Sequence, residues 1–376
     1  MKAVNKLTIF ILVAILLLAA CTSEQDLISQ NKGNQTTETS TEPLGNQTGS
    51  KEIPAKLKKP IKIAVITQLS IGTFSSQYIS GVQSQVKEFG GEVQVYNADN
   101  DLSKMASYID TAVSQKVDGI LLDHGRADAL TPSVKKAVAA GIPVVAFDSD
   151  LNIPGVTVID QDDYSLAWNT LRTLAQDLNG KGNIVYIWVG GFTPMERRNV
   201  IYEAFKQRYP NMKEIAKFGN ATSNTALDTQ AQMEAILAKY PNKGDIDAVF
   251  APWDEFAKGA TRAIQQAGRT EIKVYGIDLS DEDLQLMQQK NSPWVATTAT
   301  DPAEVGKIQV RFLYQKIAGE PTPQIYSIQP HLVEKQTIPN KQVSMNQLDQ
   351  HIEGWGKSNV AYTPWMKTLA EEVKKK

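Results

Sequence analysis

The chain is 376 residues long and carries 39 basic and 41 acidic side chains, for a net charge of −2. That length allows two domains with their own cores. The balanced charge provides no field that would draw the chain to nucleic acid or to a bare membrane surface, so recognition must be local.

In chain order, Lys2 and Lys6 come first, ahead of an apolar stretch from Leu7 to Leu18 broken only by Thr8. The stretch is too short to span a membrane comfortably as a mature helix and reads as the core of a secretory targeting segment, residues 1–20. It runs into Leu18-Ala19-Ala20-Cys21, and Cys21 is the only cysteine in the chain, so no internal disulfide can form. The tetrapeptide resembles the bacterial lipoprotein lipobox. That resemblance implies cleavage before Cys21, lipidation there, and a lipid anchor on the extracytoplasmic side of the cell envelope; an ordinary cleaved signal or an uncleaved anchor is the alternative. Residues 21–59 are dominated by Ser, Thr, Asn, Gln and Gly. Such a composition buries too little apolar surface to offset its ordering entropy and predicts a flexible tether.

Beyond Pro60 the pattern becomes regular. The β-rich runs IKIAVIT (61–67), EVQVY (92–96), DGILLD (118–123) and IPVVAFD (142–148) alternate with helical patterns near 74–89, 102–116 and 131–140. The series then repeats with NIVYIWV (183–189), IDAVFA (246–251) and IKVYGID (272–278), separated by helical patterns near 194–209, 225–239 and 254–268. Nearly continuous apolar strands alternating with amphipathic helices predict an α/β fold of two doubly wound parallel-sheet lobes in tandem.

In such a sheet, ligands bind outside the carboxyl ends of the strands. The unusual residues of this chain stand there: Gln68 to Phe74, Asp123 and His124, Asp148-Ser149-Asp150, Trp253-Asp254, and Asp278. Each also has a purely structural reading. Asp254 would cap the helix that follows it, Asp148 and Asp278 would begin turns, Phe74 would pack under its helix, and Trp253 would close the core at a strand tip.

As an ordered set, KIAVIT…F…G, VDGILLD, AAGIPVVAFDSD, VFAPWDEFAKGATRAI, VYGIDLS and ATTATDPAEVGKI resemble the type I periplasmic sugar-binding proteins of ABC importers, the ribose-binding kind. The resemblance runs from about residue 60 to 345. It implies two lobes joined by three crossings, near Asp162, Thr300 and Pro330, that close on a sugar. The implied lobes are 60–162 plus 301–329 and 163–300 plus 330–345, with a C-terminal extension at 346–376 that either wraps back on a lobe or contacts a partner.

The resemblance implies that Asp148 and Asp278 accept hydroxyl hydrogen bonds and that Phe74 covers a sugar face; with residues read directly from the sequence, Trp253 among them, these make a candidate ligand-binding set. Phe74, Asp148 and Ser149 come from the first lobe, Arg198, Asn224, Trp253 and Asp278 from the second, and Thr300 from the hinge. Carboxylates accept hydrogen bonds from neighbouring hydroxyls, and rings stack on the C–H face of a sugar. Three departures from the ribose-binding pattern bear on the ligand. Ser149 and Ile201 stand where that kind has arginines, although Arg197 and Arg198 lie one turn upstream of Ile201, and Trp253 stands where it has asparagine. These favour a hexose, deoxysugar or polyol that presents an apolar face to Trp253, with Asp254 as a cap rather than a contact.

The function implied is non-catalytic capture of a small sugar or polyol for an ABC permease and its ATPase. The expected protein is a monomer without cofactor, metal or nucleic-acid partner. Three histidines without metal-ligand spacing, and no Gly-x-Ser-x-Gly or glycine-rich phosphate loop, argue against an enzyme. The alternative is a sugar-sensing receptor that uses the same site but docks on a chemoreceptor or sensor kinase; a glycoside-acting enzyme built on paired aspartates is the remaining reading.

Overall fold

The computed structural model describes residues 49–376. The targeting segment, Cys21 and most of the expected tether lie outside those residues. The last part of the expected tether is a correction: Ile53 and Leu57, four residues apart, are both buried in the core of the first lobe, with a 3-10 turn at Ala55–Leu57. Two apolar side chains at that spacing make one sticky face, and that face docks.

The first sheet is built from β1 (Lys62–Thr67), β2 (Glu92–Asn97), β3 (Gly119–Asp123), β4 (Val144–Phe147) and β5 (Thr157–Asp160), interleaved with α1 (Gly72–Glu88), α2 (Leu102–Ser114) and α3 (Ala127–Ala139). After β5 the chain enters α4 (Asp163–Asp177) and builds a second sheet from β6 (Gly182–Ile187), β7 (Met212–Phe218), β8 (Ala248–Ala251), β9 (Lys273–Ile277) and β10 (Trp294–Ala299). Its helices are α5 (Thr193–Arg208), α6 (Thr225–Lys239), α7 (Asp254–Gln266) and α8 (Asp281–Gln288). The chain then returns through α9 (Pro302–Ala318), which packs on α1, to β11 (Ile325–Ser327) in the first sheet. It crosses again to β12 (His331–Glu334) in the second and ends in α10 (Pro364–Val373).

The strand orders correspond: β11-β5-β4-β3-β1-β2 in one sheet and β12-β10-β9-β8-β6-β7 in the other. All pairings are parallel except β10 with β12. The central strands are buried along nearly their whole length, as a sheet covered by helices on both faces requires. Glycine permits close backbone packing of helices: a Cβ on Gly81 of α1 would come within 2.1 Å of the Ala303 carbonyl oxygen of α9.

The C-terminal extension contacts both lobes. Trp355 is buried in the core of the second lobe, whereas Trp365, Met366 and Leu369 of α10 are buried in the core of the first.

Candidate functional site

The two sheets aim the carboxyl ends of their strands at a common cleft. Residues from both lobes line about 570 Å³ of atom-free space there, part of it open to solvent. The polar side chains enter from strands near the crossings: His124 after β3, Asp148 after β4, Gln161 after β5 and Asp278 after β9, joined by Arg198 of α5. The apolar ones enter farther along the sheet order: Leu69, Ile71 and Phe74 after β1, Phe192, Pro194 and Met195 after β6, and Trp253 after β8. The cleft is therefore polar toward the hinge and apolar away from it.

Three of the polar residues hold a conformation that non-glycine side chains avoid. His124, Asp148 and Asp278 have φ of 63°, 49° and 73°. Left-handed backbone at a strand exit turns the side chain out of the sheet, and such strain persists where the surroundings enforce it.

Asp148 is fully buried and accepts from the backbone N–H (3.3 Å) and the side-chain amide (2.9 Å) of Gln161. Burial and the nearby charge of Asp163 push its carboxyl well above the usual range, against the pull of His124, Arg198 and the Gln161 bond. The guanidinium of Arg198 is also buried. It grips Asp278 in bidentate fashion at 2.9 and 3.2 Å, donates to Asp163 at 2.9 Å, and donates to the carbonyl of Pro252 at 2.8 Å. Burial works against its charge, but Asp278 and Asp163 outweigh that and raise its pKa.

The expected site residues divide. Phe74, Asp148, Arg198, Trp253 and Asp278 line the cleft. Ser149 does not: its hydroxyl donates to the carbonyl of Gly125 at 2.7 Å and is committed to the turn. Thr300 is buried between β10 and α9 and donates at 2.6 Å to the side-chain oxygen of Gln161, so it supports the site from behind. Asn224 is an exposed residue ahead of α6, away from the lining.

Asp254 is not a cap. Trp253 occupies the N-cap position without a side-chain cap bond, and the Asp254 carboxyl is buried 3.9 Å from the Lys258 ammonium, beside Glu255 and Asp283. Trp253 faces two ways. Its ring packs on Phe256 (5.1 Å between centroids) and Phe192 (6.3 Å) while the indole lines the cleft, so it closes a core and walls the site at once.

Sequence reasoning placed His124 at a strand exit but left it out of the ligand-binding set, and it missed Gln161, Phe192 and Met195 as lining residues. The strand exit Gly190-Gly191-Phe192 after β6 lacks the hydrogen-bonding side chains of the other five, and only its aromatic pointed to the cleft. Gln161 and Met195 had no comparable signal.

Lobe-to-lobe hydrogen bonds close the rim. Gln77 donates to Asp281 at 2.7 Å, Thr73 donates to Glu282 at 3.1 Å, and Arg197 donates to the carbonyl of Ser149 at 3.2 Å. Among the described residues, no group of three His, Cys, Asp or Glu side chains is placed to hold a metal ion, and no helix is long and apolar enough to cross a membrane.

Residues 63–321 match the family model described as a periplasmic binding protein domain. A sugar ABC transporter structure from Yersinia enterocolitica is 40% identical with a TM-score of 0.83, covering 86% of this chain and 98% of that one. A 5-methylthioribose transporter solute-binding protein from Thermotoga lettingae, in complex with 5-methylthioribose, is 38% identical with a TM-score of 0.81, covering 85% and 100%. The xylitol-binding protein of Mycolicibacterium smegmatis is 29% identical over 237 residues, 62% of this chain and 66% of that protein. Two parallel-sheet lobes with strand exits converging on one cleft, and a family match over most of the chain, make this protein a member of the periplasmic binding protein domain family, of the type I fold.

Proposed function

We propose that the chain is the solute-binding component of an ABC importer: a non-catalytic, monomeric receptor, held at the extracytoplasmic face by lipid on Cys21, that closes on a small sugar-like solute and presents it to a permease. The observation that carries this reading is the polar-to-apolar gradient of the cleft. Asp148, Asp278 and their partners offer bonds to hydroxyls at the hinge end, and Phe74, Phe192 and Trp253 offer flat apolar surface at the other. A hydroxyl buried against the apolar wall would lack a partner, at a cost of about 1–3 kcal/mol. The preferred solute is therefore a sugar with one hydroxylated end and one apolar end, the class to which 5-methylthioribose belongs, ahead of the evenly hydroxylated ribose and xylitol.

The test is a thermal-shift comparison of the purified protein with 5-methylthioribose, ribose, xylitol, amino acids and nucleosides. A ligand at a hundred times its Kd stabilises the native state by about 2.7 kcal/mol. The expected order is 5-methylthioribose first, then ribose and xylitol. A shift with amino acids or nucleosides alone would overturn the sugar reading, and ribose or xylitol ahead of 5-methylthioribose would overturn the gradient argument.

A further inference from the structure

At the hinge end of the cleft, His124 keeps one ring nitrogen that no group among the described residues engages. Its Nδ1 lies 2.6 Å from Asp123 Oδ1, and its ring meets Phe147 and Phe192 edge-on at 5.9 and 6.0 Å. Those contacts fix the ring plane. Among the described residues nothing bonds to Nε2, while the ring forms part of the cleft wall.

We propose that His124 is a specificity-determining residue whose Nε2–H donates to an acceptor oxygen of the solute, with Asp123 as the positioning residue that acts through it. This rests on the solute-binding reading above. The charged groups facing the ring are Asp123 on β3, Asp148 after β4 and Arg198 on α5. Burial and Arg198 oppose protonation, but the two aspartates outweigh them and push the imidazole up to about 9. At neutral pH both ring nitrogens then carry hydrogen: Nδ1–H serves Asp123, and Nε2–H is the donor left over. Above about 9 Nε2 loses its proton and meets the solute oxygen as a second acceptor.

Titrating the unliganded protein by imidazole NMR tests the proposal without any solute; a His124 midpoint near 9 that falls to the ordinary histidine range in Asp123→Asn is expected, and a midpoint at or below the ordinary value in the parent overturns it. Affinity is then measured for whichever of 5-methylthioribose, ribose or xylitol binds the parent. His124→Phe should weaken it at least tenfold and His124→Gln, which keeps a donor, by less. Asp123→Asn should bind poorly at pH 8 and recover at pH 5.5, where an unassisted imidazole is protonated. Parent-like affinity in His124→Phe, or no recovery in Asp123→Asn, would sink the proposal; no binding by the parent to any sugar would instead count against the solute-binding reading.

A separate observation concerns the C-terminal extension. Trp355 is locked into the second lobe, its indole N–H donating to the Met345 carbonyl at 3.1 Å. Gly356, at φ 62°, then passes so close to Asp301 that a Cβ would come within 2.5 Å of its carboxylate. Arg311 of α9 next grips the carbonyls of Ser358 and Val360 at 2.8 and 3.3 Å, and α10 seals the first lobe. We infer that this segment is a fourth connection between the lobes, a strap that limits how far they open. From Trp355 to Val360 the chain reaches at most about 18 Å when extended, so wider opening must pull out an anchor.

A Gly-Ser insertion of about eight residues between Lys357 and Ser358 adds roughly 15 Å of random-coil reach while keeping both anchors. A protease site within the insertion lets the link also be cut after folding. The expected result is a larger radius of gyration of the unliganded protein by X-ray scattering, with a parent-like value when ligand closes it. An unliganded radius unchanged by both lengthening and cutting would overturn the strap; should the lengthened protein fail to fold, a parent whose unliganded and liganded radii already differ by the full hinge motion of an unstrapped two-lobed protein would do the same.

Discussion

At the scale of single residues, the site is a set of charges that cannot all be solvated. Arg198 sits between Asp163 and Asp278 with almost no solvent access. Its replacement by Ala leaves two buried carboxylates facing each other, and breaking such a network costs about 3–5 kcal/mol. Arg198→Ala is therefore expected to lower the melting temperature markedly as well as abolish binding, whereas Asp148→Ala, which leaves only neutral Gln161 groups without a partner, should lower it less and weaken binding by about 1–3 kcal/mol, or roughly five- to 150-fold. Paired melting and titration curves separate the two.

Asp148 also predicts proton release. Burial and Asp163 raise its pKa, so this group favours the folded state at low pH and that contribution is lost as pH rises through the raised value. Solute hydroxyls donating to the carboxylate favour its charged form. Binding near neutral pH should then expel a proton, read as a dependence of the calorimetric binding enthalpy on the ionisation enthalpy of the buffer. An enthalpy independent of buffer would count against hydroxyl donation to Asp148.

At the scale of elements, the entry to α1 is the tightest point between the lobes. Gly72 has φ 70°, and a Cβ there would lie 2.0 Å from Glu255 Oε1 of α7, beside Lys258. Gly72→Ala is expected to weaken solute binding more than tenfold, a change of about 1.4 kcal/mol or more, while the secondary structure seen by circular dichroism stays the same; undiminished affinity would show that α1 and α7 need not meet. The elements most legible in the sequence were those whose pattern is set by burial on both faces: β1, β3, β4, β8 and β9 coincide with the apolar runs to within about two residues. Those that escaped lie at edges or beside crossings. β7 carries two lysines and a glutamate on an edge, where charge is normal, and β11 and β12 are only three and four residues long. The aspartates of the site were legible because a strand exit is a fixed place in this architecture. Asn224, Ser149 and the capping role of Asp254 were misjudged because position along the chain does not report which way a side chain turns.

At the scale of the whole molecule, the proposed capture needs two arrangements of the lobes, and a solute moves the balance between them only by binding one of them better. The purified protein is expected to become more compact in solution when a binding sugar is added, seen as a fall in the radius of gyration. No change in shape on saturation would mean that the cleft is already closed without solute, and the stability gained on binding would then come from contacts alone.

The correspondence of the two strand orders has a consequence for stereochemistry. β4 and β9 occupy equivalent places in their sheets, and each ends in an aspartate with left-handed backbone. The cleft thus approximates a twofold axis, and a truly twofold cleft would accept a solute in either of two flipped orientations. Only one of the two aspartates is gripped by a guanidinium; the other rests on a neutral amide. That inequality makes the two orientations distinguishable, so a solute entering this pocket has a defined head and tail.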